Sequence, residues 1–140
     1  LLLNGPDGDE LKRLPLPDLD DLRHAVETSH GTFIVCHYKP QPRVCEVNVN
    51  SHVIHVYSDQ QQLVRPRYLS LNSDGRIIVA DGDKHQVVLL NIRLELERVL
   101  LDTQHHQLTK NPYRLCYREQ TGQLFVCSLK SECVQIFTVR

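Results

Sequence analysis

The chain has 140 residues and a mass of 16.2 kDa, with 41% hydrophobic and 24% charged residues, the proportions of one ordinary folded domain and not of a disordered chain. Sixteen Lys and Arg face seventeen Asp and Glu, a formal net charge of −1, which argues against a protein held to nucleic acid or an anionic membrane by bulk charge. The longest apolar runs, such as Val87–Leu90, fall far short of the roughly 20 residues that cross a bilayer, and no secretory leader is visible.

Met is absent, position 1 included, so the sequence reads as a piece of a longer protein. The chain opens with two short apolar runs, Leu1–Asn4 and Glu10–Leu14, which resemble Val88–Asn91 and Glu95–Val99 further along. Three longer units follow. Each begins with a short run (His24–Val26, Tyr68–Leu71, Arg114–Tyr117), passes through a polar turn, and continues in a β-branched and aromatic run (Thr32–Cys36, Arg76–Ala80, Gln123–Cys127). The turns carry Gly31, Gly75 and Gly122, which fall 44 and 47 residues apart. Asn72-Ser73-Asp74-Gly75 is a hairpin turn, since Asp-Gly tolerates the positive φ that tight hairpins need.

A third run comes downstream in every unit (Val44–Val49, Val87–Ile92, Val134–Val139), and a fourth in the first two (His52–Tyr57, Leu96–Leu101). Alternation such as Val53, His55 and Tyr57 against Ile54 and Val56 is a strand signature. Four short strands recurring with a period of about 40 to 50 residues are the mark of propeller blades.

The expected fold is therefore all-β: a β-propeller of four-stranded antiparallel blades, present as a partial arc. Residues 1–16 form the end of one blade, 22–63 and 64–108 two full blades, and 110–140 a last blade lacking its outer strand. Thirteen strands fall short of the roughly sixteen that even a small closed ring requires. Helical spacing in 17–28, with Asp18 as a cap, is the competing reading there. For 94–100 the alternation, and Pro15 and Pro17 in its N-terminal twin, count against a helix.

The stretch Pro66-Arg67-Tyr68-Leu69-Ser70-Leu71-Asn72-Ser73-Asp74-Gly75-Arg76-Ile77-Ile78-Val79-Ala80-Asp81, followed by Lys84-His85-Gln86-Val87-Val88-Leu89-Leu90, resembles the NHL repeat. Lys84 and Gln86 replace that repeat's usual Asn and Arg. His37 and Ser128 stand in the other two units where the repeat has Asp, and Arg43 keeps the repeat's Arg. The resemblance implies a six-bladed ring, and a partner-binding or RNA-binding propeller at the C-terminus of a tripartite-motif protein of the ubiquitin-ligase type. No RING or B-box pattern lies in these residues, so any ligase chemistry would belong elsewhere. The expected setting is cytoplasmic.

The five cysteines (Cys36, Cys45, Cys116, Cys127, Cys133) include no CxxC pair and are expected as reduced thiols packed like small apolar residues. Cys36 with Cys45 and Cys127 with Cys133 are the pairs that neighbouring strands would allow to face each other. The eight histidines form no close ligand pair of the kind zinc sites use. His24, His37 and His85 fall near one rim, where two of them would be able to converge on Asp81, although a lone His beside an Asp more often forms a structural hydrogen bond. There is no GxSxG elbow and no glycine-rich phosphate loop, and Cys36 and His37 point to opposite faces of a strand. His24, Tyr68 and Arg114 hold equivalent innermost positions and are not the carboxylate set of a calcium-dependent lactonase-type propeller. No enzyme activity, cofactor or metal is expected.

The informative cluster is basic. Loops leading into the blades carry Arg23, Arg65, Arg67, Lys110 and Arg114, and loops between second and third strands carry Lys39, Lys84 and Lys130. Both sets open on one rim of a propeller, near His24, Tyr38, Tyr68 and Tyr113, with Asp81, Asp83 and Glu132 diluting the charge. Arg and Tyr together suit protein hot spots and base stacking. The expected partner is a protein, the alternative is RNA, and neither membrane nor DNA is expected.

Overall fold

The computed structural model describes residues 2–4, 7–57 and 63–139. Leu1, assigned to the first run, and Arg140, at the end of the last, lie outside the described residues. Among the described residues thirteen strands follow one another: β1 (Leu2–Asn4), β2 (Glu10–Arg13), β3 (Asp20–Glu27), β4 (Phe33–Lys39), β5 (Arg43–Val47), β6 (Val53–Tyr57), β7 (Pro66–Leu71), β8 (Ile77–Asp81), β9 (Gln86–Leu90), β10 (Leu96–Asp102), β11 (Pro112–Arg118), β12 (Gln123–Ser128) and β13 (Val134–Thr138). They pair only with their neighbours in sequence, antiparallel throughout, as sheets β1–β2, β3–β6, β7–β10 and β11–β13. Residues 20–27 are strand, not helix, and so are 96–102. Among the described residues no helix is long and apolar enough to cross a membrane.

The sheets stack face to face around a common line of inner strands, with β7 packed between β3 and β11. Strand alternation divides each sheet between two cores. In β4, Phe33 and Val35 face back toward Leu14, while Ile34 and Cys36 face forward onto Leu69, Ile77 and Val79 of the next sheet. In β8, Ile77 and Val79 face back, while Ile78 and Ala80 face forward onto Leu115, Leu124 and Val126. This is why the second strands β4 and β8 read as continuous β-branched and apolar sequence: they are buried on both sides.

The turns are held by their own side chains. Asn72 Oδ1 accepts the N–H groups of Asp74 and Arg76, and Gly75, at φ +81°, donates its N–H to the Asn72 carbonyl at 3.1 Å. A Cβ on Gly75 would also crowd Ile92 Cγ2 at 3.1 Å, so this glycine serves both the turn and the packing beneath it. Asn48 and Asn91 repeat the same Asx turn between third and fourth strands.

The suggested cysteine pairings do not form. Cys36 lies in the forward core and Cys45 in the backward one, on opposite faces of the same sheet, so no disulfide can join them. All five cysteines are free thiols.

Candidate functional site

A repeated irregularity builds the rim. In each sheet the inner strand slips by one residue against its neighbour, between Leu22 and His24, between Pro66 and Tyr68, and between Pro112 and Arg114. Such a bulge kinks the strand and re-aims side chains. Arg23, Arg67 and Tyr113 are the extra residues, and His24, Tyr68 and Arg114 follow them at the same height on adjacent strands.

The result is two linked stacks. His24 lies on Tyr68 with ring centroids 3.9 Å apart and planes inclined by 21°. The Arg114 guanidinium sits 5.3 Å from the Tyr68 centroid and 5.7 Å from that of Tyr113. Beside this stack, Tyr38 is covered by Arg23 at 4.3 Å and by Arg65 at 5.0 Å, in cation–π geometry. Tyr38 is 9% exposed, and its hydroxyl has no hydrogen-bond partner among the described residues. Burial pushes the Tyr38 phenol above its usual range, against the pull of Arg67, Arg23 and Arg65.

Carboxylates temper the positive charge. Asp83 bridges Arg65 (3.2 Å) and Arg67 (3.5 Å), and Asp21 pairs with Arg23 at 3.0 Å. Arg67 lies flat across Gly82, where a Cβ would run into the guanidinium nitrogen and into Cδ at 2.7 Å; only glycine leaves that path open. The lysines occupy the ends and turns of the strands. Lys39 ends β4, Lys110 precedes β11 and Lys130 sits in the β12–β13 turn, all exposed, while Lys84 is half-buried in the β8–β9 turn. Asp21 and Gly82 were not evident from the sequence, because their roles depend on which guanidinium the bulges bring over them.

Buried polar residues anchor the loops beneath the rim. Asp81 accepts the N–H of Arg65 at 2.7 Å, that of Val64 at 3.0 Å, and Gln86 Nε2 at 3.4 Å. Burial still lifts its carboxyl above the ordinary value despite those donors. At the equivalent place Ser128 Oγ donates to the Thr109 carbonyl at 3.2 Å. His37, fully buried, is bonded through Nδ1 to the Lys39 carbonyl at 2.9 Å and through Nε2 to Cys45 Sγ at 3.4 Å. The histidines do not converge on Asp81 but make structural hydrogen bonds to backbone groups. His24 Nδ1 accepts the N–H of Leu69 and His85 Nδ1 that of Asn111, each joining one sheet to the next.

The Cys45–His37 contact is not a reactive pair, since burial pushes the Cys45 thiol up to about 11 and the Cys36 thiol to about 12. No three His, Cys, Asp or Glu side chains come together as a metal site among the described residues.

Burial, with Arg114 adding to it, lowers the pKa of His24; burial, only partly offset by the Lys39 carbonyl, lowers that of His37. Both therefore favour the neutral imidazole in the fold. Their contribution to stability is complete above about pH 6.5, the unfolded value, and is lost as pH falls from there toward the lowered folded values. Thermal melts at pH 7.5 and pH 5.5 are expected to show the chain less stable at the lower pH. His24→Gln, which still offers an acceptor to Leu69 but cannot titrate, is expected to reduce the difference.

No protein-family model matches this chain, and no curated protein matches it by sequence. Solved structures do. The chain is similar to streptogramin B lyase (TM-score 0.67, 11% identity, 91% of this chain and 41% of that one). It is similar to a protein of unknown function from Bacteroides caccae (TM-score 0.57, 15% identity, 98% of this chain and 53% of that one). It is similar also to the extracellular domain of a hybrid two-component system from B. thetaiotaomicron (TM-score 0.63, 17% identity, 95% of this chain and 19% of that one). The fold is a β-propeller arc. The chain spans 41%, 53% and 19% of the lengths of these structures, so it corresponds to a part of each.

Proposed function

We propose that this chain is a non-catalytic binding scaffold, an NHL-type propeller segment that engages a protein partner through its arginine–tyrosine rim. The setting that fits is the substrate-recognition end of a cytoplasmic tripartite-motif ubiquitin ligase. The NHL-like wording of residues 66–90 supports that setting. The observation carrying the binding role is the convergence of Arg23, Tyr38 and Arg65 in one sandwich beside His24, Tyr68 and Arg114. Buried aromatic anchors flanked by guanidinium groups are the side chains that dominate protein interfaces. Pre-stacking on the rings fixes the arginines before a partner arrives, which lowers the ordering cost of binding.

Catalysis has little support, because the buried thiols are held neutral and the inner positions carry His, Tyr and Arg instead of carboxylates. The likeness to streptogramin B lyase extends to the fold alone. A second reading has one specific observation in its favour: the Tyr68–Arg114–Tyr113 ladder is a surface on which RNA bases would stack.

Arg65→Glu combined with Arg114→Glu tests both. Both side chains are exposed, so the fold is expected to persist. In affinity capture from cell extract followed by quantitative proteomics, the variant is expected to lose most of the proteins retained by the wild type; an unchanged set would reject the rim. Filter binding to single-stranded RNA separates the readings. Affinity that falls steeply between 50 and 200 mM salt, and is abolished in the variant, would move the assignment to RNA.

A further inference from the structure

The near-neutral total hides a second face. On the rim opposite the arginines, a groove of about 610 Å³ runs between sheets β3–β6 and β7–β10, within the range of ligand-binding clefts. Its floor is Ile34, Leu71 and Ile77, and one wall is Ile92, which is 61% exposed. Its lips carry Glu27, Glu46 and Asp74.

The charges there are poorly balanced. Arg76 serves two carboxylates at once, Glu97 at 3.1 Å and Asp74 at 3.4 Å. Among the described residues Glu46 pairs with an imidazole alone, His55 at 3.3 Å. Glu27 has no ion pair among the described residues. The next groove, about 340 Å³ between β7–β10 and β11–β13, shares Asn72 and Asp74 but also presents Arg76 and Arg98, which offset its acids. Of these two grooves, the first is the apolar trough edged by surplus carboxylate.

We infer that this groove docks an extended protein segment in which an apolar side chain is flanked by Lys or Arg. The apolar residue would cover Ile92 and the floor, and the cations would meet Glu27, Glu46 and Asp74. Nucleic acid is the wrong occupant, because its phosphates would face those same acids. The site is independent of the arginine rim, so the scaffold would hold two partners of opposite charge on opposite faces.

The test uses a short fluorescein-labelled peptide alternating Lys and Leu, with a Glu and Leu peptide as its counterpart, read by anisotropy against the full chain. Val134→Lys with Ile136→Lys is present in all proteins compared, because these two β13 side chains are 54% and 58% exposed and would offer a Leu-containing peptide a second apolar surface. Saturable binding of the Lys peptide is expected, weakened by salt and reduced about tenfold by Glu27→Lys with Ile92→Asp, as for loss of one interface anchor. Arg65→Glu with Arg114→Glu is expected to leave that binding intact, whatever becomes of the other rim. Equal binding of the Glu peptide, no binding of either, or indifference to the groove substitutions would overturn the assignment. Should circular dichroism show the Glu27→Lys, Ile92→Asp chain unfolded, Glu46→Gln alone gives the same reading with a smaller loss.

Discussion

Asp81→Ala is expected to destabilise the chain by about 3 kcal/mol, lowering the melting temperature by roughly 10 °C. The carboxylate is fully buried, and it receives the N–H groups of Val64 and Arg65 and the amide of Gln86. Alanine leaves those donors facing a void from which water is excluded, and the desolvation of each then goes uncompensated. Asn is the discriminating replacement. It has the shape but only one acceptor oxygen, so its NH₂ must point at one of the donors. A loss of about 1 to 2 kcal/mol is expected for Asp81→Asn, intermediate between wild type and Ala. Urea titration followed by circular dichroism measures both, and equal stability for all three chains would show that the loop is held by something else. The consequence extends to the rim, because the segment that Asp81 grips carries Arg65. Loss of the grip is expected to weaken rim binding in Asp81→Asn even under conditions where the chain remains folded.

Most of the fold was legible because a propeller blade writes itself into sequence twice. The hairpin glycines at 31, 75 and 122 mark the first turn of each unit, and the doubly buried second strands β4 and β8 read as unbroken apolar runs. The turns between third and fourth strands were harder to see. They depend on Asn48 and Asn91 accepting two N–H groups each, and their left-handed positions are filled by Ser51 (φ 65°) and Leu94 (φ 60°), where no glycine punctuates the chain.

The rim was legible as a composition of Arg, Lys and Tyr but not as a geometry. Strand alternation alone would not bring Arg23 and Arg65 over the same ring; the bulge at Arg23 and the Asp81-anchored loop carrying Arg65 do that, and they leave no motif. Asp83 was expected to dilute the charge, and it does so by bridging Arg65 and Arg67; the pairing of Asp21 with Arg23 was not legible, since it depends on a guanidinium aimed by a bulge. The histidines follow the plainer of their two readings. His24, His37 and His85 do cluster toward one rim, but each finds a nearer backbone group before it can reach Asp81.

The chain in solution is expected to self-associate, and the forward face of the last sheet decides this. In β3–β6 that face is Ile34, Cys36 and Val44, and in β7–β10 it is Ile78, Ala80 and Val87, all buried against the sheet that follows. The register of β12 with β13 puts Phe125, Cys127 and Val134 in the matching places, with Ile136 opposite Phe125. Among the described residues no sheet covers them: Val134 is 54% and Ile136 58% exposed. The same side chains that hold one blade to the next elsewhere here meet water, next to the free backbone edge of β13, and both features favour pairing with another chain. Covering the exposed halves of these two residues alone is worth about 2 kcal/mol, or roughly a 30-fold change in association constant. Val134→Lys with Ile136→Lys removes that gain and sets like charges against each other across any symmetric contact. Sedimentation velocity over a concentration series is expected to show a rising mass for the wild type and a monomer for the double variant, with matching far-ultraviolet circular dichroism. A wild-type chain that stays monomeric throughout and melts in one sharp transition would mean that this face is stable in water without a neighbour.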